Sequence, residues 1–204
     1  MKVGVVGGAF NPPHIGHLCL AQEALARLGL DRVLLVPVGA PPHRELESDP
    51  GAAHRLRMVQ LAVGGDAQLE ASAVEVERPG RSYTVDTLKA LHETHPSQEL
   101  TLILGADQAR RLGSWHEPEQ VLSAATLAVA ERAGLDRDAV VDELRDLRGA
   151  ERSVGFELPR LDVSSSLIRE RIADGLPIRY LVPDAVGDHI VAEGLYATST
   201  PSTA

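Results

Sequence analysis

Two hydrophobic periods alternate along this chain, and that alternation restricts its fold more than any other feature. Val3-Gly4-Val5-Val6 is a β-branched run that stops at Gly7-Gly8, and Leu18, Ala21, Ala24, Leu25 and Leu28 then recur at helical spacing over residues 15–28. Residues 33–38 read as a second buried strand, followed by a polar, proline-rich loop over 39–53 and a helix over 54–63. Ala73-Val74-Glu75-Val76-Glu77 alternates with period two and ends at Pro79-Gly80, which predicts a strand with one wet face. A helix is expected over 84–94, strands over 100–104, 126–130 and 154–158, and helices near 165–174 and 183–193. Strands that alternate with helices require a parallel sheet with right-handed crossovers. The expected fold class is therefore α/β, a Rossmann-like open parallel sheet with helices on both faces.

The chain has 204 residues, 44% of them apolar, which is enough to bury the core of one domain. That domain is expected over residues 1–197, with 198–204 as a flexible tail because they lack apolar periodicity. Between residues 131 and 152, 12 of 22 side chains are charged, seven acidic and five basic. Leu135, Val140, Leu144 and Leu147 would cover one face there, so a solvated surface helix is expected and not a binding tail. The 20 Lys and Arg against 29 Asp and Glu give a net charge of −9, which repels polyphosphate backbones and argues against nucleic acid as a partner. Only Lys2 and Lys89 are lysines, and neither follows a glycine as a phosphate-binding P-loop requires, so that class of nucleoside triphosphatase is excluded. Cys19 is the single cysteine, which excludes an intrachain disulfide framework and a cysteine-based zinc site and fits a reducing cytoplasm. The apolar N-terminal run is broken by glycines and by Pro12-Pro13, so it reads as structure and not as a leader. No stretch has the length of a membrane helix.

The chemistry concentrates in Gly7-Gly8-Ala9-Phe10-Asn11-Pro12-Pro13-His14-Ile15-Gly16-His17. In an open parallel sheet, ligands bind beyond the carboxyl ends of the strands, and a glycine turn before a helix lets backbone N–H groups approach an anion. His14 and His17 lie three apart, so their rings would project from one side of the first helical turn and add donors for phosphate oxygens. A histidine pair at this spacing could also be half of a metal site, but no third ligand is suggested nearby.

His14-Ile15-Gly16-His17 resembles the H-x-G-H motif of the nucleotidyltransferase superfamily, and the eleven-residue string is similar, more narrowly, to the bacterial nicotinate-mononucleotide adenylyltransferases. Further segments follow that family's order: Pro41-Pro42-His43, Ser82-Tyr83-Thr84-Val85-Asp86-Thr87-Leu88, Gly105-Ala106-Asp107, Trp115, Val163-Ser164-Ser165-Ser166-Leu167-Ile168-Arg169 and Ile178-Arg179-Tyr180-Leu181-Val182-Pro183. Physically, the Ser164 segment is a capped helix start with Arg169 one turn on, where a fixed fork of donors can clasp phosphates. Asp107, after Gly105 at a strand's end, could accept from ribose hydroxyls or cap a helix. Trp115, the only tryptophan, sits in a polar turn, where it either packs on the domain edge or serves a ligand.

The resemblance implies that AMP passes from ATP to nicotinate mononucleotide, with magnesium on the triphosphate and no resident metal. It makes His14, His17 and Arg169 catalytic and gives ATP the residues Gly7, Gly8, Ala9, Phe10, Gly105, Asp107, Ser164 and Ser165. Nicotinate mononucleotide receives Asn11, Arg44, Thr84, Trp115 and His116, with the Trp115 ring on the pyridine and backbone amides near Thr84 and His116 on the carboxylate. Arg44 stands where the family pattern has lysine, and Val163 and Ser166 replace isoleucine and threonine. A phosphopantetheine adenylyltransferase shares two of these landmarks, but not the Ser82 segment or the Trp115 turn. A noncatalytic nucleotide sensor remains the reading from another class, and self-association is left open.

Overall fold

The computed structural model describes residues 1–41, 45–131 and 137–197. Its strands are β1 (Lys2–Gly8), β2 (Arg32–Pro37), β3 (Leu69–Ala71), β4 (Glu99–Gly105), β5 (Thr126–Glu131) and β6 (Val154–Glu157). The helices are α1 (Ile15–Leu28), α2 (Ala52–Ala62), α3 (Thr84–Thr94), α4 (Ala106–Ala109), α5 (Pro118–Ala124), α6 (Arg137–Glu143), α7 (Ser165–Ala173) and α8 (Asp184–Ala192). The strands form one sheet in the order β3-β2-β1-β4-β5-β6, every pairing parallel. From β1 the chain moves outward to β3, then returns to the centre and moves the other way through β4. The crevice beyond the ends of β1 and β4 is thus the point where strand order reverses, the place where such sheets bind ligands.

Both faces of the sheet are covered, as the alternation of strands and helices predicts. Val3 and Val5 enter one core with Val85, Leu88 and Leu91 of α3 and Val121 and Leu122 of α5. Val6 enters the opposite core with Ala21 and Ala24 of α1 and Val59 of α2. A third cluster, Met58, Ile168, Val182, Val186 and Ile190, joins α2 to α7 and α8 and fixes the late helices against the body.

Residues 73–77 form a turn and not the expected strand; the edge strand is the shorter β3 just before them. The Glu77 N–H donates to the Ala73 carbonyl at 2.9 Å, Val74 packs on the core, and Glu75 is buried where a wet face was expected. Its carboxylate has internal partners, so the alternation reflects a buried polar contact and not a pleat. Among its described residues, the charged segment after β5 holds the short helix α6, which buries Val140, then turns that press Leu144 into the core. Leu135 and the proposed tail 198–204 lie outside the described residues. The short helices α4 and α5 gave no periodic signal to read.

Candidate active site

At the end of β1 the chain must turn sharply from the sheet into α1; Gly7 faces open space there, and a Cβ on Gly8 would stand 3.3 Å from the Phe10 ring. Phe10 adopts a positive φ of 49° and buries its ring in the core 4.8 Å from that of His17, so only its backbone is available to a ligand. The Asn11-Pro12 peptide is cis. His14 is the N-cap of α1, and its Nδ1 accepts from the Gly16 N–H at 3.2 Å. His17 Nδ1 accepts in turn from the His14 N–H at 3.2 Å, so the two imidazoles form a reciprocal cap of the kind usually built from Ser and Glu. The glycine between them is required by space: a Cβ at Gly16 would stand 3.0 Å from two atoms of the His14 ring.

This geometry fixes the protons. Each Nδ1 accepts from a backbone amide, so each neutral ring carries its hydrogen on Nε2. Burial lowers His14 to about 4. Burial, with the neighbouring His14 charge, lowers His17 to about 3, and the ring centroids are only 3.8 Å apart. At neutral pH both side chains are therefore uncharged Nε2–H donors.

The late helix is bolted to this loop. Ser164 caps α7 by accepting from the Leu167 N–H at 3.1 Å, and the Ser165 hydroxyl donates to the Pro12 carbonyl at 2.8 Å. Arg169 Nη1 donates to the Asn11 carbonyl at 2.9 Å, and Nη2 pairs with Glu47 at 3.0 Å. Arg169 and Ser166 face a polar cleft of about 550 Å3 that also contains Glu47 and Tyr196. Asn11 is buried and occupied on both sides, donating to the Glu47 carbonyl at 2.8 Å and accepting from the Tyr196 hydroxyl at 2.7 Å.

On the other side of the glycine turn, Gly7, Gly8 and Ala9 help to line a cavity of about 430 Å3 with Thr84, Trp115 and His116. Thr84 is the first residue of α3, whose N-cap Tyr83 makes no side-chain cap, which leaves first-turn amides for other acceptors. The Tyr83 and His116 rings lie 4.4 Å apart, and Trp115, partly buried, packs on the core while lining the cavity. Gly105 ends β4 with open space at its Cα, and Asp107 is exposed in the first turn of α4, two residues on. Arg44 lies outside the described residues.

Sequence reasoning missed the side chain that braces the site. Arg55 is fully buried and donates from Nε to Asp49 at 2.9 Å, from Nη1 to the Ala9 and Val38 carbonyls, and from Nη2 to the Gly39 carbonyl at 3.2 Å. It ties the glycine turn to the exit of β2. The signal was present: Arg55 stands at the spacing of Met58 and Val59, the other buried positions of α2, where a helix otherwise presents apolar residues. Tyr196 was missed because it follows the last periodic segment; burial holds its phenol far above the ordinary value and keeps it a donor.

Residues 5–171 match the family model described as cytidylyltransferase-like, which places the chain among the nucleotidyltransferases, its glycine turn and doubly capped helix start lying at the switch-point crevice. Two bacterial proteins named "probable nicotinate-nucleotide adenylyltransferase" are similar over nearly their whole length. One, from Herpetosiphon aurantiacus, is 40% identical over 197 residues, covering 96% of this chain and 98% of that one. The other, from Desulfitobacterium hafniense, is 41% identical over 197 residues, covering 96% and 95%. The fold resembles that of the nicotinic acid mononucleotide adenylyltransferase of Plasmodium falciparum complexed with NaAD, with a TM-score of 0.76, 20% identity and coverage of 96% and 97%. The chain belongs to the nicotinate-nucleotide adenylyltransferase family.

Proposed function

We propose that this protein transfers AMP from ATP to nicotinate mononucleotide, giving nicotinate adenine dinucleotide and pyrophosphate, a step of NAD biosynthesis. One observation carries the reading: two neutral Nε2–H imidazoles and the Arg169 fork gather on one side of the glycine turn, and a ring-lined cavity opens on the other. The nucleophile is a phosphate oxygen of the mononucleotide, already anionic at neutral pH, so no general base is required. The chain's task is to align two anions that repel each other and to stabilise charge developing on the α-phosphate and on the departing pyrophosphate. His14 and His17 donate there without carrying charge of their own. Arg169 meets the phosphates with Nη2, exchanging Glu47 for a phosphate oxygen, while Nη1 stays on the Asn11 carbonyl. Ser164 and Ser165 hold the start of α7, Asp107 accepts from the ribose, and first-turn amides of α3 near Thr84 receive the nicotinate carboxylate beneath Trp115.

Among the described residues no group of three or more His, Cys, Asp or Glu could hold a metal ion. Magnesium would arrive as the ATP complex, held mainly by phosphate oxygens. No described helix is long and apolar enough to cross a membrane, and a single cysteine suits the reducing cytoplasm. The test offers ATP and magnesium with nicotinate mononucleotide, then with its amide, and measures pyrophosphate. Release with the acid and inversion at a chiral α-phosphorus are expected. No release, or retention, would overturn the reading.

A further inference from the structure

Beside the ring-lined cavity lies a buried carboxylate whose hydrogen bonds all run toward it. Ser82 Oγ accepts from the Gly39 and Ala40 amides, each at 3.2 Å, so its own hydrogen is free, and it points to Glu75. Thr87 Oγ1 accepts from Arg78 at 3.2 Å and lies 2.7 Å from Glu75 Oε1, against 3.2 Å from the Tyr83 carbonyl, so its hydrogen also goes to Glu75. A carboxylate, with two acceptor oxygens and no hydrogen, takes both hydroxyl donors whichever oxygen each meets; an amide can turn an NH2 against one of them. Glu75, Ser82 and Thr87 all line the cavity.

The backbone is fitted to this network as closely as the side chains. A Cβ on Gly39 would lie 2.1 Å from the Glu75 carbonyl oxygen and 3.1 Å from Ser82 Oγ, so the exit of β2 and the 73–77 turn are pressed together at a place only glycine fills. Burial pushes the Glu75 carboxyl up, and the converging donors oppose that rise. A buried charge of this kind costs stability unless its partners are in place, and here both hydroxyl partners, Ser82 and Thr87, belong to the wall of the cavity.

We propose that Glu75 is the positioning residue of the pyridine end: through Ser82 and Thr87 it fixes the first turn of α3 against the exit of β2, and so sets the amides that receive the nicotinate carboxylate. The inference rests on the adenylyl transfer proposed above. It predicts a defect in one substrate and not the other, since the phosphate side hangs from α1 and α7.

The experiment measures pyrophosphate release at varied concentrations of each substrate for the wild type, Glu75→Gln, Thr87→Val and Thr87→Ser, with thermal melting of each. Glu75→Gln and Thr87→Val are expected to raise KM for nicotinate mononucleotide about tenfold, the effect of losing one buried hydrogen bond to a charged group. The turnover number and KM for ATP should stay within about twofold of wild type, and Thr87→Ser, which keeps the hydroxyl, should restore the KM. Should Glu75→Gln fail to fold, the two Thr87 variants decide the outcome alone. Equal rises in both KM values, a fall confined to turnover, or wild-type kinetics in the folded variants would overturn the inference while leaving the reaction intact. A wild-type chain that releases no pyrophosphate from this pair would overturn the reaction itself, and the inference with it.

Discussion

At the phosphate end of the crevice the donors come from two compact motifs, one at each end of the chain, whereas the ring end is assembled from four separated segments. His14 and His17 cap one helix together, and Ser164, Ser165 and Arg169 open another; each set lies within one or two helical turns. At the ring end, Gly39, Glu75, Ser82 with Thr87, and the Trp115 turn come together, the Gly39–Ser82 hydrogen bond spanning 43 residues and the Thr87–Glu75 bond 12. Local capping shapes each motif of the first end, and the Ser165–Pro12 and Arg169–Asn11 hydrogen bonds join the two motifs. The second depends on long-range packing, and an error in any wall displaces the ligand's ring. Arg55 touches both, through Ala9 on one side and Gly39 on the other.

Breaking that shared brace should erase the difference between the ends. Arg55→Met leaves Asp49 and three carbonyls without their buried partner, and removing one member of a buried ion pair typically costs about 3–5 kcal/mol. Urea unfolding should register a loss of that order, and surviving folded protein should be impaired toward both substrates. Stability within about 1 kcal/mol of wild type would mean the two ends are held independently. His17→Ala probes the phosphate end by itself: turnover should fall by about 10²–10³, the effect of losing one oxyanion donor. Its capping bond to the His14 amide should cost only about 1 kcal/mol in unfolding measurements. Unchanged turnover in the folded variant would remove His17 from the mechanism.

The same contrast explains what could be read from the sequence. The parallel sheet with helices on both faces follows from strands alternating with helices, and the first site follows from a contiguous string whose spacing is its geometry. Asn11 shows the limit of even that string: its place in the loop was legible, but its engagement with Tyr196, 185 residues away, was not. Glu75 was misread as the wet side of a strand because period-two alternation cannot distinguish a carboxylate facing water from one facing Thr87. Arg55 was overlooked because an arginine on a helix is ordinarily assigned to the surface. Trp115 was noticed as a large ring in a polar turn, and the Tyr83–His116 ring pair that lines the cavity with it became apparent only in three dimensions.

Trp115→Ala sharpens the comparison from the ring end. Losing a stacking partner is worth about 0.5–1.5 kcal/mol beyond the lost area, so KM for nicotinate mononucleotide should rise several-fold while KM for ATP holds. A change confined to ATP would place the tryptophan at the wrong end of the crevice.

The smallest expected effect concerns the protons of the phosphate end. His14 and His17 titrate near 4 and 3 in the folded chain, against 6.5 for an ordinary histidine. As pH falls below about 6.5, the unfolded chain binds protons at these positions and the folded chain does not, so stability is lost with acid through that window and the loss ends once both rings titrate in the fold. Each such proton contributes a slope of about 1.4 kcal/mol per pH unit. Above pH 7 the pair contributes no slope. His14→Asn keeps a side-chain acceptor at the helix cap while removing one titrating ring, so its unfolding free energy should depend less on pH between 6 and 4.5 than that of the wild type. Nitrogen-detected titration of the wild type should find two of its eight histidines fixed as the Nε2–H form from pH 8 down to about 5. Two rings that instead titrate near 6.5 would mean that the reciprocal cap does not hold in solution. The phosphate end would then meet ATP with charged imidazoles, and the distinction between a rigid neutral donor pair at one end and a packed carboxylate network at the other would be lost.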